Sequence, residues 1–219
     1  MSLDITDHIQ DLWPRCPVPL LQGIIDTADD VFAKFEMAGN AARIVPFMAT
    51  ISAETGGGNP AELEENLNYS SAARLRAVWP SRFRDKSDAE LAALVHNPEN
   101  LANAVYMGRM GNDQPGDGYR YRGRGLLQTT GKGLYRELSQ YVGIDLVANP
   151  EALLAPDTAL LCAAADFVCV CKCLPYCDEG NFLAVSGCVN VGRPDVTPAQ
   201  VVGWADREQW FRIWSGRLS

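Results

Sequence analysis

Four glutamates fall between positions 54 and 65: Glu54, Glu62, Glu64 and Glu65. Two carboxylates facing each other are the smallest set of groups that splits a glycosidic bond. One protonates the leaving oxygen, and the other attacks the sugar or activates a water. Gly56-Gly57-Gly58 separates the first glutamate from the rest, so a helix end and the irregular segment after it could oppose each other across a groove. An acidic loop is more often merely solvated, and the pair alone does not specify the chemistry. His8 and His96 are isolated, and no serine or cysteine has a histidine partner at a recognisable spacing, which disfavours a nucleophilic triad.

The element that must carry Glu54 is legible. Ile44, Phe47, Met48 and Ile51 recur at i, i+3, i+4 and i+7, the buried stripe of a helix, and Glu54 continues that stripe. Pro46 lies inside the pattern, so the helix starts near it or kinks there, and the triple glycine ends it. A carboxylate on the last turn of a buried face is expensive unless paired or used, and partial burial raises its pKa toward what a general acid requires. The other reading is a solvated glutamate at a frayed end, and spacing does not separate the two.

Helix signals dominate elsewhere. Ser87 and Glu90 form a capping box that opens a helix over about 87–96. Asn149-Pro150 and Thr197-Pro198 each place a good cap before a proline at the first helical position. In the second segment Val201, Trp204, Glu208, Phe211 and Trp214 recur every three or four residues, an amphipathic helix. Residues 157–172 form an apolar, alanine-rich and central helix. One stretch differs: in Gly118-Tyr119-Arg120-Tyr121-Arg122-Gly123-Arg124-Gly125 aromatic and basic residues alternate with period two, which predicts a short strand or hairpin.

Composition bounds the function. The 219 residues are 47% hydrophobic and 21% charged, with 19 Lys and Arg against 27 Asp and Glu for a net charge of −8. That is ordinary globular composition, and its acidity weighs against nucleic acid as a partner. No apolar run approaches the ~20 residues that cross a bilayer, and the N-terminal sequence lacks the pattern of a secretory signal. Seven cysteines include Cys169, Cys171, Cys173 and Cys177. One-residue gaps are off the usual spacing for zinc, so reduced, buried thiols are the preferred reading, with no metal.

The string AETGGG…EENLNYS…WPSRF…NPENLANAVYMGRMGN…GDGYRYRGRGLLQTTGKGLY…VNVGRP…ADREQWF strongly resembles the family 19 glycoside hydrolases, above all their phage endolysin and bacterial chitinase-like branch. The resemblance runs from about Phe47 to Phe211 and centres on residues 121–128. It implies a mainly α, lysozyme-like two-lobed fold with a small β element lining a sugar-binding cleft, as a single catalytic domain over 1–219 without a separate binding module. It implies inverting hydrolysis of β-1,4 bonds in N-acetylglucosamine-containing polymers, without a cofactor. By position, Glu54 matches the general acid and Glu65 the general base, with Glu64 as the alternative base. Thr130 matches the hydroxyl that holds the attacking water. Tyr121, Gln128 and Asn190 match residues that bind N-acetyl sugars, and Arg207 matches an arginine paired with the acidic centre. The arginines at 120–124, or Arg207, are expected beside the base to keep it ionised. Ala53, Leu134, Val191 and the cysteine-rich stretch depart from the family pattern.

The resemblance implies an endolysin acting on peptidoglycan. Such an enzyme is a monomer made in the cytoplasm, needing a lysis partner such as a holin to reach the wall in the periplasm. A chitinase, a catalytically weakened sugar-binding protein and a lytic transglycosylase are the alternatives.

Overall fold

The computed structural model describes residues 4–218; Met1–Leu3 and Ser219, the ends of the single domain expected over 1–219, lie outside the described residues. The described residues are mostly helical, with isolated β-bridges in place of strands. The helices α1 (Thr6–Leu12), α2 (Val18–Lys34) and α3 (Ala41–Thr55) come first. A run of short helices follows: α4 (Ala72–Val78), α5 (Pro80–Phe83), α6 (Asp88–Leu91), α7 (Pro98–Tyr106) and α8 (Asp117–Arg120). The chain closes with α9 (Lys132–Val142), α10 (Ala159–Ala165), α11 (Leu174–Asp178), α12 (Phe182–Val191) and α13 (Trp204–Arg217).

Two separate hydrophobic cores make the two lobes. The larger gathers Ile9, Ile24, Phe32, Phe47, Met48, Tyr135, Leu160, Cys177, Val185 and Trp214 from the first three and the last five helices, with Phe167 from the turn after α10. The smaller holds Leu67, Leu75, Phe83, Leu91, Leu101 and Val105, with Tyr69, Trp79 and Tyr106 against its edge. Each fully buried side chain of this size contributes about 1.5–3 kcal/mol, and the sequence between 66 and 106 spends its apolar residues on its own cluster.

The stripe on α3 is as the spacing predicts: Ile44, Phe47, Met48 and Ile51 are fully buried. Pro46 sits within the helix, and Gly56 ends it in the left-handed conformation at φ 55°. One serine fixes this helix to its neighbours. Ser52 Oγ accepts from the indole N–H of Trp13 at 3.0 Å and of Trp214 at 2.9 Å, and donates to the Met48 carbonyl. Leaving a buried donor unmet costs about 1–3 kcal/mol, so Ser52 pins α3 between α1 and α13 two residues before Glu54.

Several local expectations are corrected. The Ser87–Glu90 capping box forms, but its helix is the single turn Asp88–Leu91, followed by turns to His96. Pro198–Gln200 and Pro150–Leu153 make 3-10 turns, and the C-terminal helix begins only at Trp204, after the left-handed Gly203. The alternating stretch is not a hairpin. Asp117–Arg120 is a helical turn, begun where Asp117 Oδ2 accepts the backbone N–H groups of Asp113 and Gln114. Gly118 fits there because a Cβ would stand 2.7 Å from the Ala102 carbonyl oxygen of α7. Among the described residues the β element is realised only at Arg124, which bridges antiparallel to Glu64 and to Thr129.

Candidate functional site

The bridge at Arg124 decides how the acidic segment is presented. Leu63 accepts from the Gly125 N–H and the Glu65 N–H donates to Gly123, each at 2.9 Å, so Glu64 lies directly opposite Arg124. Opposed residues share one face of such a ladder, and successive residues point to opposite faces. Glu64 therefore meets the arginines. Arg124, only 3% exposed, bonds it through Nε, and Arg122 Nη2 reaches it at 2.8 Å. Burial pushes the Glu64 carboxyl up, but the hydrogen bonds and charges of Arg124 and Arg122 outweigh it and hold the group below its ordinary range.

Glu65 turns the other way. Its Oε1 accepts a 2.6 Å bond from the Tyr106 hydroxyl, and its Oε2 a 3.3 Å bond from the Gly123 N–H. Burial, with the bond and charge of Glu65, pushes the Tyr106 hydroxyl far above its usual range, so it remains a donor. Of the arginines expected beside Glu65, Arg122 and Arg124 are on Glu64 instead, because a one-residue step changes the face. Arg120 donates to the Val147 and Ala148 carbonyls, and Arg207 is on Glu54.

Glu54 lies in the last turn of α3 with its side chain 17% exposed, and Arg207 Nη2 of α13 approaches its Oε1 to 2.5 Å. Arg207 is itself held: its Nε donates to the Val202 carbonyl, and the Val202 N–H donates to Oδ1 of Asn190. Asn190 thereby braces the segment that aims Arg207 at Glu54. Glu54, Glu62, Glu64, Glu65 and Gln128 line one open cavity of about 390 Å³.

Gly123 is the floor between the expected residues. A Cβ there would stand 2.8 Å from Gln128 Oε1, 3.2 Å from Thr130 Oγ1 and 3.5 Å from Glu65 Cβ, so Gln128, Thr130 and Glu65 converge only because glycine occupies it. Gln128 has φ 52°, a costly conformation for a non-glycine residue that the surroundings must impose. Its amide donates to the Glu62 carbonyl at 2.5 Å. Thr130 gives its hydroxyl proton to the Gln128 carbonyl at 2.8 Å, which leaves oxygen lone pairs to accept from another group.

Tyr121 departs from its expected sugar contact. It is 3% exposed, its hydroxyl donates to the Val147 carbonyl, and its ring packs edge-on against Tyr135 at 5.2 Å. It supports the site from behind, because the helical turn at 117–120 directs it inward. Two residues went unrecognised in the sequence. Tyr106 carried no signal beyond its type, since its partner lies 41 residues away. Asp166 had one: it is the sole charge in the apolar run 159–170. It is 4% exposed where α10 widens into a π-helical turn over Asp166–Val170, a feature frequent at functional sites.

No protein-family profile matches the chain. A Haemophilus influenzae protein described as a glycosyl hydrolase family 19 domain-containing protein is 37% identical over 120 residues, which take in 53% of this chain and 58% of that protein. The chain thus matches little more than half the length of this relative. Among solved structures, chitinase C from Streptomyces griseus superposes with a TM-score of 0.62 at 17% identity, covering 99% of this chain and 76% of that one. A family 19, class IV chitinase from Zea mays superposes with a TM-score of 0.52 at 16% identity, covering 98% and 91%. The chain therefore has the largely helical, lysozyme-like fold of family 19 chitinases and is similar in sequence, over the matched stretch, to a family 19 glycosyl hydrolase domain.

Proposed function

We propose that the chain is a glycoside hydrolase that cuts β-1,4 bonds of an N-acetylglucosamine-containing polymer with inversion, and that its substrate is the peptidoglycan strand. The observation that carries this is the presentation of Glu54 and Glu65 on one cavity, each held by a different set of partners. In the reaction Glu54, aimed by Arg207, gives its proton to the leaving glycosidic oxygen. Glu65, fixed by Tyr106 and the Gly123 N–H, takes a proton from a water as that water attacks the anomeric carbon. Thr130 accepts from the same water and orients it. The glycosidic C–O bond breaks while the new one forms on the opposite face.

Glu64 is the poorer base on this account, because two guanidinium groups already hold its charge. Gln128 and Asn190 are the proposed sugar contacts, Gln128 on the cavity wall and Asn190 through the amide nitrogen that its bond to Val202 leaves free. The endolysin role, with peptidoglycan as substrate, a holin-type partner and action in the periplasm, rests on the resemblance of the motif at 121–128 to that branch. Chitin is the second reading, favoured by the chitinases that share the fold. Side-by-side digestion of purified peptidoglycan and chitin, with mass analysis, tests both. New reducing ends on muropeptides are expected; anhydro-sugar ends indicate a transglycosylase, and reducing ends from chitin alone indicate a chitinase.

A further inference from the structure

A second cavity has a volume of about 340 Å³, and Gln128 lines both it and the first. That volume is in the range of small-ligand sites. Its walls are mixed: Leu134, Val170 and Val189 are apolar, while Gln128, Thr130 and Asp166 bring polar groups. Sugar rings present the same combination of apolar faces and polar edges.

Asp166 is the unusual member. Thr129 donates to its Oδ2 at 3.1 Å and the Cys171 thiol, a weak donor, to its Oδ1 at 3.5 Å. An ionised carboxylate accepts at about four lone-pair positions, so acceptor capacity remains on both oxygens. Among the described residues no lysine or arginine pairs with it, and the charged side chains that act on it, Glu137 and Glu54, are both acidic. Burying a carboxylate without a cation is expensive. Burial raises its pKa to about 6, Glu137 and Glu54 act in the same direction, and the bonds from Thr129 and Cys171 oppose them. At pH 7.5 the cavity therefore presents an uncompensated negative charge one residue from the groove wall.

We infer that this cavity is a subsite for a 2-amino-2-deoxy sugar whose free ammonium group pairs with Asp166, so that the protein selects N-deacetylated positions in its glycan. The inference rests on the glycan-hydrolase reading. An ammonium supplies the missing cation and has three donors for the unused lone pairs. The apolar walls lie against the ring, and Gln128 connects this subsite with the cleavage groove.

Partially N-deacetylated chito-oligosaccharides of known pattern, digested at pH 7.5 and sequenced by mass spectrometry, test it. The protein is expected to leave free-amine residues enriched at one fixed position from the cut. Asp166→Asn, checked for native circular dichroism, is expected to reduce that enrichment about 10-fold or more, the order expected for one charge-assisted bond. Random placement, or enrichment unaltered in Asp166→Asn, overturns the inference; so does enrichment of N-acetylated residues that Asp166→Asn abolishes, since the carboxyl then reads the acetamide. Calorimetry separates this from failure of the hydrolase reading. Turnover-deficient Glu54→Gln protein is expected to bind a glucosamine oligomer about 10-fold tighter than its N-acetylated counterpart, and Glu54→Gln/Asp166→Asn protein to lose that preference. Equal affinities overturn the subsite whether or not the protein cleaves glycans.

Discussion

The Tyr106 hydroxyl, from the smaller lobe, donates a 2.6 Å hydrogen bond to Oε1 of Glu65, whose backbone is tied to Gly123. The proposed base is thus oriented from two other parts of the chain, 41 and 58 residues away in sequence. Tyr106→Phe keeps the ring and removes the bond. A misplaced catalytic group costs up to about 100-fold in rate, so kcat is expected to fall roughly 10- to 100-fold, and loss of a bond to a charged group is expected to cost about 1.5–3 kcal/mol of stability at most. Unaltered kcat would remove Tyr106 from the account.

Glu64 and Glu65 separate stability from chemistry. Glu65→Gln is expected to lose about 10²–10⁴-fold in rate, the usual contribution of a general base, and to melt as the parent does. Glu64→Gln leaves the buried Arg124 with a weaker partner and is expected to cost about 1–3 kcal/mol of stability while retaining most of the activity. Full activity of Glu65→Gln beside a dead but folded Glu64→Gln would move the base by one residue.

That choice shows where the sequence stopped. The helix under Glu54 was readable because its stripe is local, and Arg207 was readable by resemblance. Which glutamate meets the arginines and which meets Tyr106 depends on the pairing of Leu63–Glu65 with Gly123–Gly125, a contact about sixty residues apart with no local signature. The hairpin expected at 118–125 failed for the same kind of reason. Its alternation of Tyr and Arg is real, but Asp117 ties down the loop before it through the Asp113 and Gln114 N–H groups and close packing of Gly118 on α7 overrides the pattern.

Asp166 carries a pH signature. Its carboxyl ordinarily titrates near 3.8 and in the fold near 6, so between those values the folded protein holds more proton than the unfolded chain. The burden is absent well below pH 4, grows as pH rises, and is complete above about 6, reaching ~3 kcal/mol at most. Asp166→Asn removes it. The variant is expected to melt several degrees higher than the parent at pH 7.5, with the gain shrinking toward pH 4.5. A gain independent of pH would mean that Asp166 is not a buried, cation-free carboxylate.

Thr130 only orients the water. Thr130→Val is expected to cost about 10-fold in kcat, less than either glutamate, and Thr130→Ser to recover most of it. A Thr130→Val enzyme as impaired as Glu65→Gln would require a larger part for the hydroxyl.

The central claim is that Glu54 and Glu65 act together on one water and one leaving oxygen, which fixes the stereochemistry. Proton NMR of products in the first moments of hydrolysis, before mutarotation, reads it directly. The account predicts the α-anomer as the initial product from a β-1,4-linked N-acetylglucosamine polymer, with its formation lost in both Glu54→Gln and Glu65→Gln. An initial β-anomer, or unimpaired α-anomer formation by either variant, would contradict it.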